Sequence, residues 1–142
     1  MNFYSNQTNI TMLRSLKKSL KECDFFYISV SFIKFAGLRL IKQDIYDALN
    51  RGAQGKFITS TYQNFTDIES LRVLISWKNE FDNFDVRLEH HNYLTGGFHV
   101  KGYLFKNEIS QWAIVGSTNL TLYALKKNAE WNLSTNEPSV YQ

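Results

Sequence analysis

Residues 24–32 read Asp-Phe-Phe-Tyr-Ile-Ser-Val-Ser-Phe. Phe25, Phe26, Tyr27, Ile28, Val30 and Phe32 crowd this short stretch, leave little polar surface, and predict a strand buried on both faces. On its N-terminal side Ile10, Leu13, Leu16 and Leu20 recur at three- and four-residue spacing. That period predicts a helix over 10–22, with Thr8 or Asn9 as its N-cap. On the C-terminal side Leu38, Ile41, Ile45, Ala48 and Leu49 share one helical face, and Gly52 follows where a left-handed turn ends a helix. A second helix is therefore expected over 37–51.

Lys56 to Ser60 reads as a short strand, and Asp67 stands as the cap of a third helix carrying Ile68, Leu71, Leu74, Ile75 and Trp77. Farther on, residues 85–89, 98–105, 111–116 and 130–134 are short and strand-like. The polar turn Lys106 to Ser110 joins the middle pair, and only Leu120 to Leu125 looks helical in that half. Strands that alternate with helices early and are linked by hairpins late predict an α/β protein, a mixed β-sheet sandwiched by helices on both faces.

The chain has 142 residues, enough for one continuous core. We read 1–135 as a single domain and 136–142, with the only proline, as a tail or the start of a linker to a further domain. No apolar run approaches the roughly 20 residues that span a bilayer, and Met1 to Asn9 is polar rather than a basic-then-apolar export signal. A cytoplasmic protein with no membrane partner is expected. The one cysteine, Cys23, excludes an internal disulfide and a cysteine zinc cage, and reads as a small buried apolar side chain. The net charge of +3 is a mild excess that permits an anionic partner. Arg14, Lys17, Lys18 and Lys21 would share one helix surface, whose ordinary reading is a solvated face. Trp112 and Trp131 read as core residues, and Gly96-Gly97 as a turn.

Three segments place polar groups two residues apart in or beside apolar strands: His99 and Lys101, Ser117 and Asn119, Asn128 and Glu130. Side chains at that spacing lie on one face of a strand, so Phe98, Val100 and Leu104 can enter the core while His99 and Lys101 point the other way. An imidazole buried beside an ammonium is opposed by desolvation and repulsion, at a cost of roughly several kcal/mol unless an anion joins them. Phosphate suits the set. Lysine supplies a charge, asparagine and serine supply donors, and glutamate can hold one imidazole nitrogen so that the other is a nucleophile. No carboxylate or histidine cluster has metal-ligand spacing, so neither metal nor cofactor is expected.

The runs Gly97-Phe98-His99-Val100-Lys101-Gly102-Tyr103, Ile114-Val115-Gly116-Ser117-Thr118-Asn119-Leu120-Thr121 and Asn128-Ala129-Glu130-Trp131-Asn132 resemble the H-x-K and G-S-x-N signature of the phospholipase D superfamily. They look closest to its nuclease-like branch, which includes small bacterial nucleases, metal-independent restriction endonucleases and domains fused to helicase-like restriction proteins. The resemblance implies a two-step, metal-independent phosphodiesterase that forms a phosphohistidine. Carried onto this chain, it makes His99 the nucleophile, Lys101 and Asn119 the phosphate ligands, Ser117 their assistant and Glu130 the group that orients His99. One position departs from the pattern: the family's aspartate seven residues after the histidine is Lys106 here.

The mechanism needs two histidines, and the chain carries one motif. His90 and His91 are adjacent, face opposite ways on a strand, and have no following lysine. A homodimer bringing His99 of each copy to one site is therefore expected. The substrate expected is nucleic acid, DNA rather than RNA. Two alternatives stand beside it: a non-catalytic DNA-binding module of a helicase or restriction polypeptide, suggested by Lys106 and by the linker-like tail, and a phospholipid head-group hydrolase.

Overall fold

The computed structural model describes residues 2–4, 12–60, 66–89, 101–121, 125 and 132–136. Among them, seven strands form one sheet. In chain order the elements are β1 (Asn2–Tyr4), α1 (Met12–Glu22), β2 (Phe25–Ser29), α2 (Phe35–Leu38), α3 (Lys42–Asn50), β3 (Gln54–Ser60) and α4 (Ile68–Glu80). They are followed by β4 (Phe84–Glu89), β5 (Gly102–Lys106), β6 (Gln111–Gly116) and β7 (Asn132–Thr135). Spatial order is β1-β7-β6-β5-β2-β3-β4. β2, β3 and β4 run parallel, while β5, β6, β7 and β1 pair antiparallel. The α/β class and mixed sheet expected from the sequence are the ones observed.

Register explains the core. Phe26 and Ile28 stand opposite Phe105 and Tyr103 on one side and Gly55 and Phe57 on the other, and Tyr103 faces Ile114. Those side chains share one sheet face and are buried together with Met12, Leu16 and Leu20 of α1, Ile45, Ala48 and Leu49 of α3, and Leu74 and Trp77 of α4. The Trp112 indole donates to Ser19 Oγ of α1 at 2.9 Å and stacks on Phe105, which confirms its structural role. The other face carries Phe25, Tyr27, Ile58, Leu104 and Val115, all only half-buried. The strand expected to be buried on both faces is thus fully buried on one.

Chain punctuation follows local chemistry. Gly52, at φ +102, ends α3: its N–H donates to Leu49 O and that of Ala53 to Ala48 O, both at 3.0 Å. The Arg51 guanidinium donates to the carbonyls of Leu20 and Cys23, the unmatched acceptors that end α1. Burial pushes the Cys23 thiol up to about 11, so it stays protonated and apolar in effect. The Asp67 carboxylate accepts from Ser70 N at 3.0 Å, which is the N-cap expected for α4. In the turn after β5, Asn107 Oδ1 accepts from Ile109 N and Ser110 N.

Three expectations are corrected. The helix expected over 37–51 is two pieces, α2 and α3, separated by Arg39–Ile41. The first piece packs closely on a segment distant in sequence: a Cβ at Gly37 would lie 2.5 Å from the Thr121 backbone. β5 begins at Gly102, so Lys101 precedes the strand rather than lying within it. A short strand at Asn2–Tyr4, for which no element was expected, pairs with β7 in addition. The helix expected over 120–125 does not begin at Leu120, which forms an isolated bridge with Ile33; Leu125 is helical and buried, while Thr8, Asn9, 122–124 and 137–142 lie outside the described residues.

Gly37→Ala is expected to destabilise the protein by about 1–3 kcal/mol, because neither backbone at this crossing can yield easily. The midpoint of urea unfolding measures it.

Candidate active site

The topology brings four strand ends to one edge of the sheet. β2 and β3 run parallel and end there, antiparallel β5 begins there, and β6 returns to it, with Gly102 opposite Ser29 and Val115. Carboxyl ends of parallel strands are where open α/β sheets commonly bind ligands. β7 also starts at this edge, since Asn132 pairs with Gly116.

After β2 the chain leaves the sheet through Val30, Ser31 and Phe32, and Ser31 is the point on which the edge converges. The Lys101 ammonium donates to Ser31 Oγ at 3.3 Å. Ser31 N donates to Asn119 Oδ1 at 2.9 Å, and Phe32 N adds a longer contact of 3.4 Å. Ser60 Oγ, at the end of β3, donates to Ser31 O at 2.5 Å. Side chain, amide and carbonyl of one residue are thus each tied to a different segment. Ser31 is 1% exposed and Asn119 8%, so these bonds lie away from water, where they are electrostatically stronger.

The segment carrying Asn119 is clamped as well. Tyr103 OH, from the interior of β5, donates to Thr118 O at 2.7 Å, and Lys34 N donates to Leu120 O at 2.9 Å. Because backbone amides occupy the carboxamide oxygen of Asn119, its Nδ2 is the end left to act as a donor. Ser117 is exposed at the end of β6. Below the loop, Thr66 Oγ1 accepts from Ile33 N and donates to Ser60 O, and Asp67 Oδ2 accepts from Phe35 N at 2.8 Å.

Two of the five residues singled out from the sequence, Lys101 and Asn119, are therefore brought together through one serine. Ser117 sits on the same edge. His99 and Glu130 lie outside the described residues, as do His90, His91, Asn128 and Trp131. Sequence reasoning missed Ser31, Ser60 and Thr66. A serine inside an apolar run has no distinguishing spacing, and only the register of β2 against β3 and β5 reveals what it touches.

Lys106 stands at the far end of β5, opposite Phe25 and Gln111. Five residues of extended chain, at about 3.4 Å each, separate it from Lys101 by about 17 Å. A side chain at 106 stands at the other end of the sheet and cannot reach this edge.

The family model described as "Cardiolipin synthase, PLD-like domain" matches residues 12–142. The chain belongs to the phospholipase D-like family. No curated protein matches it. Among solved structures it is similar to NucT from Helicobacter pylori, with 18% identity and a TM-score of 0.69 over 98% of this chain and 89% of that one. It is also similar to Nuc from Salmonella typhimurium, a phospholipase D family member, with 19% identity and a TM-score of 0.66 over 89% and 76% of the two chains. The phosphatidylserine synthase of Haemophilus influenzae matches at 16% identity and a TM-score of 0.68, over 88% of this chain and 31% of that one. No described helix is long and apolar enough to cross a membrane.

Burial opposes ionisation of Asp67, yet hydrogen bonds from Ser70 and Phe35 and the nearby Lys34 charge outweigh it and hold the carboxyl below its ordinary value of 3.8. A depressed carboxyl contributes stability above its unfolded pKa and loses it as pH falls through the folded value. Asp67→Asn is accordingly expected to lower stability at pH 7 and to flatten its loss between pH 4 and lower values. Thermal melts of both proteins across that range, starting from about pH 7, measure the difference.

Proposed function

We propose that the chain is a metal-independent phosphodiesterase of the nuclease-like kind, acting on nucleic acid, DNA before RNA, through a phosphohistidine on His99. The observation that supports it most is the meeting of the Lys101 ammonium and the Asn119 carboxamide at Ser31. Two donors from separate segments, one of them cationic, are oriented at a strand-end edge, and that arrangement fits the non-bridging oxygens of a phosphoryl group.

In the proposed reaction one nitrogen of the His99 imidazole attacks phosphorus. The bond from phosphorus to the leaving oxygen breaks, and that oxygen takes a proton from His99 of a second copy. Water then attacks phosphorus, gives its proton to the second, now neutral imidazole, and displaces the first as the P–N bond breaks. Lys101 and Asn119 hold the charge that builds on the non-bridging oxygens, with Ser117 assisting. Glu130 accepts from the other imidazole nitrogen and keeps the attacking one unprotonated. A homodimer follows from the need for two imidazoles where each chain carries one motif. A restriction or helicase-type polypeptide is a setting in which such a module would serve.

A non-catalytic module was suggested by Lys106 and by the linker-like tail; the distance of Lys106 from the edge weighs against the first of these. Lys106→Asp is expected to leave the cleavage rate within about two-fold, since a substitution away from the reacting groups changes little.

The decisive experiment incubates supercoiled plasmid and single-stranded DNA with the protein in chelator. Cleavage is expected, abolished in His99→Ala and reduced on the order of a hundred- to a thousand-fold in Lys101→Ala. Light scattering on the same sample is expected to give the mass of two chains. Cleavage that persists in His99→Ala, or full activity in a strict monomer, would contradict the reading. Hydrolysis of phosphatidyl substrates in place of DNA would keep the chemistry and change the substrate.

A further inference from the structure

The net positive charge of this protein sits on one helix. Within α1, Arg14, Lys17, Lys18 and Lys21 against Glu22 give +3, which is the formal net charge of the whole chain. The remaining basic and acidic residues cancel.

That helix crowds like charges, although Lys21 in its last turn suits the helix dipole and Glu22 follows Lys18 by four residues. Arg14 with Lys18, and Lys17 with Lys21, are like charges four residues apart, and Arg14 with Lys17, and Lys18 with Lys21, are three apart. Such neighbours repel on a helix surface. The first turn carries a cation and no acidic residue, contrary to what the helix dipole favours. Lys17 is balanced by Asp44 of α3, at 2.9 Å. Arg14, Lys18 and Lys21 are exposed, and with Leu13 and Lys17 they line an open concavity of about 420 Å³.

The fold also orients the stripe. α1 ends two residues before β2 begins, and its Ser19 meets Trp112 near the start of β6, so its C-terminal end lies at the end of the sheet remote from the candidate site. The helix therefore rises toward the site edge, with Arg14 nearest it. From Arg14 to Lys21 the stripe runs about 10 Å, at about 1.5 Å per residue.

We infer that this α1 stripe is a docking track for the phosphate backbone of the nucleic acid whose cleavage is proposed above; the inference rests on that reading for its substrate. A single strand of a duplex carries one charge per about 3.4 Å of axis, so a stripe of this length runs alongside on the order of three phosphates of one strand. An anionic membrane fits less well. Helices that lie on bilayers bury an exposed apolar face in the lipid, whereas Met12, Leu16 and Leu20 of α1 are wholly enclosed in the protein core and Leu13 alone of its apolar residues is partly exposed.

The test compares Lys18→Ala/Lys21→Ala with its parent, both in the full-length chain carrying His99→Ala so that the probe is not cut. Fluorescence anisotropy of a labelled duplex is followed over a range of salt concentrations. Loss of two phosphate contacts is expected to reduce the slope of log affinity against log salt by about 1.8. Removing like charges relieves repulsion, so a melting temperature no lower than the parent's is expected alongside. An unchanged slope overturns the track. So does vesicle binding, with phosphatidylglycerol in phosphatidylcholine, that the double variant loses while its duplex slope stays intact. If plasmid is cleaved yet the slope is unchanged, the track fails and the reaction stands; a reduced slope in a protein that cleaves no DNA leaves the track and removes the reaction.

Discussion

The hydrogen bond from Ser31 N to the Asn119 carboxamide oxygen ties the first half of the chain to the second, across 88 residues of sequence. Around it the other groups of Ser31 are also used, the hydroxyl by Lys101 and the carbonyl by Ser60. A buried serine left with open donors and acceptors would cost about 1–3 kcal/mol for each unsatisfied group. The strand therefore leaves the sheet where partners from β3, the start of β5 and the turn after β6 can all meet it. The edge is polar because its backbone demands partners, and those partners include the groups that fit a phosphoryl oxygen.

The sheet makes that meeting possible. β2 lies between parallel β3 and antiparallel β5, so the end of one neighbour and the beginning of the other fall beside Ser31. The opposite end of the same strands is a turn region with Asp24 and Lys106, remote from these groups. The similarity to NucT and Nuc is a likeness of this same architecture. In such an architecture a residue's place along a strand, as much as its identity, decides which chemistry it can join.

Much of this was legible in the chain itself. The run Phe25 to Ile28, the three-four spacing of Leu13, Leu16 and Leu20, and Asp67 before an apolar helix are local patterns with local causes, and each appears as expected. Local patterns also mislead. The continuous helical period over 37–51 is interrupted at Arg39–Ile41, and its first piece packs through Gly37 on Thr121, a contact between segments that no periodicity encodes. The half-exposure of Tyr27 and Phe25 likewise reflects how much of the second sheet face its neighbours cover, not how apolar the strand is.

For the site the division is similar. The sequence by itself determined which residues stand as candidates, His99, Lys101, Ser117, Asn119 and Glu130, because residue type and two-residue spacing are written in the chain. Tertiary structure alone decided that Lys101 and Asn119 share Ser31, that Ser60 holds it from below, and that Lys106 stands too far away to matter. The physical reason is that hydrogen bonds and charges act over a few ångströms of space, and spatial proximity between residues so distant in sequence is set by strand order and register, which appear only once the sheet has formed.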